Sequence, residues 1–260
     1  VHEWSSALSE RILRAVAARA SFRIGFSATP FKPNDEVHSF RVEALFGPAV
    51  VHADVQTLIR QDVLAGARVH FHPVSVSTLA LPAAAAFAER ENAVLESDAL
   101  CDAVEHVVGA IADGRVLVLV KRLAQGELLH ARLPGSLWVR GADDAETRAH
   151  ALQQLRTGSG KVVVILSPIG AVGIDVHVHH LVNATLGKDP TLTVQRIGRG
   201  LRRAPDKQHL DYHDFLIRGN QHFRRHSLAR WEVLRAEGHE PQLVRAPVKR
   251  AAARRPSHAP

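Results

Sequence analysis

Two predicted strands, at residues 115–120 and 161–166, restrict the fold of this chain most strongly, because each is continuously apolar after its first, basic residue. A strand with one solvated face alternates apolar and polar residues, whereas an unbroken apolar run indicates a strand covered on both faces. Residues 178–184 are expected to form another buried strand, and helical patterns lie between these strands. The alternation of strand and helix predicts an α/β fold, in which a parallel sheet carries helices on both faces.

The other segments are assigned from apolar spacing and from turn residues. Helices are expected at residues 5–20, 83–99, 100–112, 124–133, 143–156, 193–203 and 222–237. Short strands are expected at 22–26 and 137–139, and the signals at 50–59 and 68–76 are weaker. The composition from Pro241 onward, rich in Pro, Ala and Arg, predicts disorder.

The net charge of +7 comes from the C-terminal end of the chain. Residues 218–260 carry ten Lys and Arg against three acids, while the two kinds balance before that point. Such a tail favours a polyanionic partner, although a solvated, arginine-rich tail explains the charge equally well.

The single cysteine, Cys101, excludes a disulfide framework and a cysteine-based zinc site. It is expected to be a small buried hydrophobe, and a reducing, cytoplasmic setting is the default. No apolar stretch approaches the roughly 20 residues of a membrane span, so no membrane partner is expected. The chain begins with Val and contains no Met, which suggests a piece of a longer protein.

The most informative motif is Gln-Arg-Ile-Gly-Arg-Gly-Leu-Arg at residues 195–202. On a helix Arg199 and Arg202 leave the same face, and Gln195 lies one turn earlier on that face. Two fixed cations and an amide, directed one way from the rim of a parallel sheet, suit a developing phosphoryl charge. An exposed arginine-rich helix that makes surface ion pairs remains the alternative.

Two weaker motifs each follow a predicted strand. In the segment from Ser167 to Asp175, Gly173 permits close backbone approach, and Asp175 offers a carboxylate to a hydroxyl or an arginine. Ser27 and Thr29 could relay hydrogen bonds between neighbouring loops. Each motif by itself is more consistent with an ordinary structural turn than with a functional site.

In this order the motifs resemble superfamily 2 DEAD/DEAH-type helicases, most closely the phage-type and repair-type DExH branch of DNA translocases. Residues 195–202 match motif VI, QxxGRxxR, in full. The other matches are residues 27–30 to motif III (SAT), 116–120 to motif IV, Gly141 to Arg148 to the segment before motif V, Ser167 with Gly173-Ile174-Asp175 to motif V, and 214–215, 226–230 and 237–238 to the terminal helix.

The resemblance implies the RecA-like C-terminal lobe of a P-loop NTPase helicase together with a partial N-terminal lobe. The implied domains are a remnant of the N-terminal lobe at 1–60, a connecting segment at 61–99, the C-terminal lobe at 100–219, and a basic helix with a disordered tail at 220–260.

The implied function is ATP-dependent translocation or unwinding of DNA, with ATP and Mg²⁺ as cofactors. DNA (RNA is possible), ATP and the missing N-terminal lobe are the implied partners. The implied roles are catalysis by Arg199, Arg202 and Gln195, ATP binding by Gly173, Asp175 and His2, coupling by Ser27 and Thr29, and nucleic-acid binding by Ser167, Gly141 and Arg148.

The sequence departs from the family pattern at its start, since no GxxxxGK[ST] occurs and His2 would end a DExH box whose acids are missing. The chain alone is therefore expected to be inactive. Residues 35–38 also spell DEVH, but they follow the SAT motif and a Pro-rich segment, so a solvated loop is expected there.

Three other interpretations remain. One is a non-catalytic nucleic-acid-binding module that uses a RecA-like scaffold and a basic tail. Another is a restriction-type translocase with its nuclease motif elsewhere. A metal site in His70-Phe71-His72 or His177-Val178-His179-His180 is less favoured, because acidic and cysteine neighbours are lacking in the sequence.

Overall fold

The computed structural model of the chain describes residues 7–16, 19–27, 31, 35–48, 53–76, 86–167 and 176–244. Within these residues the helices are α1 (Ala7–Val16), α2 (Glu36–Phe46), α3 (Val55–Arg60), α4 (Phe87–Leu95), α5 (Asp98–Ala110), α6 (Leu123–Arg132), α7 (Ala145–Thr157), α8 (Pro190–Gly200) and α9 (Gln221–Ala236). The strands are β1 (Gly66–Ser75), β2 (Arg115–Leu119), β3 (Leu137–Val139), β4 (Val162–Leu166), β5 (His180–Asn183), β6 (His209–Arg218) and β7 (Pro241–Leu243).

The described strands form one parallel sheet in the order β3-β4-β2-β5-β6-β1-β7. Side chains of β2 alternate between two buried cores: Val116 and Val118 belong to one, and Leu117 and Leu119 to the other. Both faces of this strand are therefore covered, as its unbroken apolar run predicts. The predicted α/β fold is confirmed.

Helices from different parts of the chain cover the two faces. Residues of α4, α5 and α6 belong to the first core, and residues of α7, α8 and α9 contribute to the second. Cys101 of α5 is a free, buried thiol in the first core, as expected, and burial raises its pKa. None of the described helices is long and apolar enough to cross a membrane.

The sheet also takes in strands from outside residues 100–219. β1 pairs with β6 along its whole length, from Gly66 opposite His209 to Ser75 opposite Arg218. β7 pairs with β1, so the expectation of disorder from Pro241 onward is wrong for Pro241–Leu243. Residues 245–260, the rest of that predicted tail, lie outside the described part of the chain.

Two predictions for the N-terminal region are wrong. Residues 22–26 form no strand, and Phe22 and Phe26 are exposed, because a strand needs a hydrogen-bonded neighbour and the described residues offer none here. Residues 36–38 open helix α2 instead of lying in a loop. The Asp35 carboxylate accepts a hydrogen bond from the backbone N–H of His38 (2.9 Å), which satisfies a free donor at the helix start.

A fully buried ion pair between Asp214 of β6 and Arg230 of α9 connects the elements on the second face of the sheet. Arg230 Nη2 lies 2.6 Å from Asp214 Oδ1, and Arg230 Nη1 donates to the carbonyl of Gly187 (2.7 Å). Asn183 of β5 donates to the other carboxylate oxygen of Asp214 (2.9 Å). A buried charge is tolerated only when it is paired and hydrogen-bonded in this way, so the network fixes α9 against β5 and β6.

Helix α8 approaches β6 closely at Gly200. A Cβ atom on Gly200 would lie 2.5 Å from the side chain of Leu210, whereas a Cβ on Gly198, two residues earlier, would meet no atom within 4 Å. Gly200 is therefore required by packing, and Gly198 is not.

A cluster of stacked histidines spans three neighbouring strands on the first face. His213 of β6 stacks with His70 of β1 and His180 of β5, with ring centroids 5.2 and 5.9 Å apart, and its Nδ1 lies 3.1 Å from Nε2 of His72. Burial, together with repulsion from neighbouring histidines, lowers the pKa of His213 to about 3 and that of His72 to about 4. Among the residues that the structure describes, no group of three or more His, Cys, Asp or Glu could hold a metal ion.

We predict that Gly200→Ala lowers the free energy of unfolding by about 1–3 kcal/mol, because the added methyl group overpacks the contact with Leu210. Gly198→Ala is the matched control in the same helix. It should be neutral or slightly stabilising, since Ala favours a helix by about 0.5–1 kcal/mol over Gly. Urea unfolding of both variants checks this, and equal effects would contradict the packing argument.

We predict that stability falls as the pH drops from 7 to about 5. The unfolded chain binds protons at the ordinary histidine pKa of 6.5, while folded His213 binds them only near 3. The contribution of His213 to the free energy of unfolding is therefore complete above pH 6.5. Below that pH it falls by about 1.4 kcal/mol per pH unit. His213→Phe should reduce the slope of unfolding free energy against pH, whereas His150→Gln, at an exposed position, should not. An unchanged slope in His213→Phe would contradict the prediction.

Candidate functional site

Helix α8 carries the motif that the sequence favours most. Asp189 caps its start by accepting a hydrogen bond from the N–H of Leu192 (2.9 Å), and Pro190 occupies the first turn. The apolar residues Ile197 and Leu201 pack into the core. Gln195, Arg199 and Arg202 lie off this buried stripe: the first two are half-buried and the third is exposed.

The position of the arginines along the sheet differs from expectation. Helix α8 follows the carboxyl end of β5 and runs back along the sheet, so its last turn lies beside the residues that lead into β1 and β6. Leu64 forms an antiparallel bridge with Arg202, and the N–H of Ala65 donates to the carbonyl of Leu201 (2.7 Å). The expected location at the ligand-binding rim of the sheet is therefore wrong, since the arginines lie on a covering helix near the amino ends of the strands.

The structure nevertheless brings the three predicted catalytic residues to one cavity. Gln195, Arg199 and Arg202 all line a space of about 740 Å³ between α8, α3 and the C-terminal end of α9. Gln56 of α3 donates a hydrogen bond to the carbonyl of Gly238 (2.7 Å), which ties α3 to the segment after α9. The polar residues that line the rest of this arginine cavity are Asp54, Gln56, Glu237 and His239.

The electrostatics around Arg199 favour an anion, although Asp54 and Glu237 also line the cavity. Burial, followed by repulsion from Arg202 and Arg196, lowers the pKa of the Arg199 guanidinium. Within the described part of the chain, no side chain or carbonyl accepts a hydrogen bond from Arg199. The Asp54 carboxylate is engaged in capping α3 through Thr57, which holds the pKa of that carboxyl below its ordinary value. Arg199 is thus a half-buried cation whose charge the cavity leaves unneutralised.

Lys207 is a residue that sequence reasoning missed. Its buried ammonium donates to the carbonyl of Gly200 and to that of Arg202 (2.9 Å), which lie at and beyond the end of α8, where helical N–H donors run out. Burial, together with repulsion from Arg115, lowers the pKa of Lys207 to about 8. The only sequence signal is a lysine shortly after a helix end, and that signal is too common to identify such a role.

The predicted nucleic-acid residues lie at a different part of the sheet. Gly141 and Ser167 follow β3 and β4, whose last residues, Val139 and Leu166, pair with each other. The N–H of Ser167 donates to Val139 O (3.2 Å), and no described residue bonds its buried Oγ. Arg148 lies in the first turn of α7. These residues therefore meet at the carboxyl edge of the sheet, away from the arginine cavity.

Several predicted site residues cannot be placed. His2, Thr29, Gly173 and Asp175 lie outside the described residues. Ser27 is described, and it belongs to no helix or strand.

Comparison with known proteins gives one family match. Residues 98–204 match the helicase conserved C-terminal domain. No curated protein sequence shows significant similarity to the chain.

Several solved structures share the fold. T4 UvsW superposes with a TM-score of 0.54 at 17% identity, over 80% of this chain and 45% of that protein. The fragment of a putative HsdR subunit of a type I restriction enzyme from Vibrio vulnificus YJ016 gives a TM-score of 0.57 at 18% identity, over 76% and 40%. The type ISP restriction-modification enzyme LlaBIII, bound to DNA, gives 0.52 at 13% identity, over 81% and 17%. At these identities the likeness is one of fold, and the chain spans less than half of each structure.

We predict that Lys207→Met lowers the free energy of unfolding by about 2–3 kcal/mol, because two carbonyls at the end of α8 lose a charged donor. Lys161→Met is the matched control, since the exposed Lys161 donates to a single carbonyl, that of Val108 (2.7 Å), and should cost clearly less. Urea unfolding measures both, and equal losses would show that Lys207 does not hold the end of α8.

Proposed function

We propose that the chain supplies the C-terminal lobe of an ATP-dependent DNA helicase or translocase, because residues 98–204 match the helicase conserved C-terminal domain and belong to a parallel sheet. The observation that carries the proposal is the arginine cavity, in which Arg199 and Arg202 lie together with Gln195 and the Arg199 charge is unneutralised. Clustered cations of this kind favour a ligand with several negative charges, such as a triphosphate.

The residues of the arginine cavity fit the phosphates of ATP but not its whole binding site. A space of about 740 Å³ is large enough for a nucleotide, and guanidinium groups match phosphate oxygens in pairs. The sequence offers no GxxxxGK[ST] loop to surround the β-phosphate and the γ-phosphate. We therefore assign those contacts and Mg²⁺ to a neighbouring lobe that closes on this cavity. Mg²⁺ would neutralise part of the phosphate charge there.

Within such a closed site, Arg199 would act as the main arginine finger. Its guanidinium is partly withdrawn from water, so its attraction to charge that develops on the transferred phosphoryl group is stronger than at the surface. Arg202 is exposed at the same cavity and would add a second cation, while the Gln195 amide would orient the phosphate or an attacking water. The bridge to Leu64 and the hydrogen bond from Lys207 fix the backbone at Arg202. The loss of backbone entropy at this residue when the two lobes close would therefore be small.

The other predicted residues would bind ATP, couple the two sites or contact nucleic acid. His2, Gly173 and Asp175 would line the same cleft between the lobes, and Ser27 and Thr29 would couple it to the nucleic acid. Ser167, Gly141 and Arg148 would contact the backbone of DNA, or of RNA, at the carboxyl edge of the sheet. The two sets act on different parts of the lobe, so lobe closure on ATP could be converted into a step along the strand.

The rival function is a non-catalytic nucleic-acid-binding module. In that case the arginine cavity would hold no nucleotide, and the basic C-terminal end would provide the affinity. Substitution of Arg199 separates the two proposals, because only the first requires this residue for turnover.

We predict that Arg199→Ala, in a protein that joins this chain to a lobe with a P-loop, lowers ATP turnover by about 10³-fold or more. The affinity for ATP should change by less than about 5-fold, because an arginine finger acts mainly in the transition state. Arg199→Lys should not restore turnover, since an ammonium cannot make paired contacts.

The matched control is Arg235→Ala, which removes an exposed arginine whose one ion-pair partner among the described residues is Glu232 of the same helix (2.9 Å). It should leave turnover unchanged. If Arg199→Ala also turned over ATP at the normal rate, the finger assignment would be rejected and the binding-module interpretation favoured.

A further inference from the structure

An exposed aromatic ring lies where the start of α4 meets the start of α9. Phe87 remains 49% exposed, and its ring centroid lies 5.0 Å from that of His222 and 6.0 Å from that of Phe223. Phe223 and His226 are buried, and the protein-facing side of the Phe87 ring packs against them. Phe87, His222, Phe223 and His226 form what we call the aromatic patch, in which one large apolar surface is fixed and open to solvent.

The buried part of the aromatic patch is uncharged at neutral pH. Burial, with repulsion from His222 and then Lys188, lowers the pKa of His226 to about 4. His226 is therefore a neutral ring at pH 7, and its neighbour Phe87 presents an apolar face.

Cations surround the aromatic patch. Lys188 is exposed and lies close enough to His226 to lower its pKa. Lys121 and Arg122 both contact the buried carboxylate of Glu91 on α4, at 2.6 and 3.4 Å. One carboxylate thus meets two partly exposed cations, which leaves a positive balance beside Phe87.

The remaining charges nearby do not reverse this balance. Glu89 and Asp189 are the other acids on the adjoining segments. Each accepts a backbone hydrogen bond at the start of a helix: Glu89 from the N–H of Ala86 (3.3 Å), and Asp189 from the N–H of Leu192 (2.9 Å). Arg224 and Arg225 are two exposed cations in the first turns of α9, next to Phe223 in the sequence.

The aromatic patch lies along the same edge of the sheet as the predicted nucleic-acid residues. Lys121 follows the carboxyl end of β2, Lys188 follows that of β5, and α9 follows that of β6. Strand β2 pairs with β4, after which Ser167 lies. A backbone that runs over Gly141 and Ser167 would therefore reach Lys121 and the aromatic patch by continuing along this edge.

We propose that the Phe87 ring is a stacking platform for a base of single-stranded nucleic acid, whose phosphates contact Lys121, Arg122 and Lys188. An exposed, fixed aromatic ring beside cations is the arrangement by which proteins bind single strands without reading their sequence. The inference rests on the proposed function, since it extends the nucleic-acid track of the same lobe, but it makes no use of the arginine cavity.

The test is the affinity of the full chain for a fluorescent thymidine oligonucleotide of about 20 nucleotides, measured by anisotropy without ATP at low salt. Phe87→Ala and Phe87→Leu should each raise Kd by about 5-fold to 100-fold, the range for loss of one stacked base. Phe87→Trp should bind as the parent chain does. Phe87→Leu preserves an apolar side chain against Phe223, so it tests stacking even if Phe87→Ala unfolds.

The matched control is Phe40→Ala, which removes a phenylalanine that is 67% exposed on α2 and should leave Kd unchanged. Lys188→Gln should lower the slope of log affinity against log salt by about 0.7, the value for one phosphate contact to a single strand. Unchanged binding in Phe87→Leu, an equal loss in Phe40→Ala, or no binding by the parent chain would each overturn the platform. Loss of turnover in Arg199→Ala together with unchanged binding in Phe87→Leu would reject the platform while leaving the lobe assignment intact.

Discussion

The buried pair of Asp214 and Arg230 is the interaction on which the arrangement of the other elements depends. Arg230 is wholly buried, and its charge is compensated only if α9 lies against β6 with the Gly187 carbonyl in place. Gly187 belongs to the connection between β5 and α8, so Arg230 also fixes the segment that leads into α8. An isolated charge at this depth would cost several kcal/mol, and the elements are therefore held in one arrangement rather than a range of arrangements.

A consequence of this arrangement is that the fold separates the arginine cavity from the surface proposed to bind nucleic acid. The arginine cavity lies near the amino ends of the strands on one face, and Ser167, Gly141 and the aromatic patch lie along the carboxyl edge. In many open parallel sheets the ligand lies at the carboxyl edge alone. Here the proposed anion site lies on a covering helix instead, because α8 returns along the sheet and ends where Lys207 donates to its last carbonyls.

The sequence predicted the centre of the sheet well because continuous apolar runs depend little on distant partners. β2, β4 and β5, and the helices between β2 and β4, lie close to their expected positions. The strand β6 was not foreseen, since Asp211 and Asp214 resemble loop residues until their partners, Arg68 and Arg230, are known to meet them. Burial alone would raise the pKa of Asp211, but hydrogen bonds from His70 and Arg68 outweigh it and lower that pKa.

In the candidate site, too, the features set by local sequence were predicted and those set by distant partners were not. Helical spacing alone predicted that Gln195, Arg199 and Arg202 share a face, but no local pattern shows where along the sheet a helix ends. The role of Lys207 depends on a turn that follows α8, and the aromatic patch joins residues from both halves of the chain. The role of Lys207 and the existence of the aromatic patch could therefore be recognised only from the three-dimensional structure.

The pairing of β1 with β6 also has a consequence for how the protein is made. Arg68 and its partner Asp211 are separated by 143 residues. A ribosome that adds about 5–20 residues per second would therefore leave β1 without its neighbour for roughly 7–30 s. During that interval the newly made strand presents unpaired backbone groups to other chains. The arginine and the histidines of β1 keep the strand polar until β6 has been synthesised.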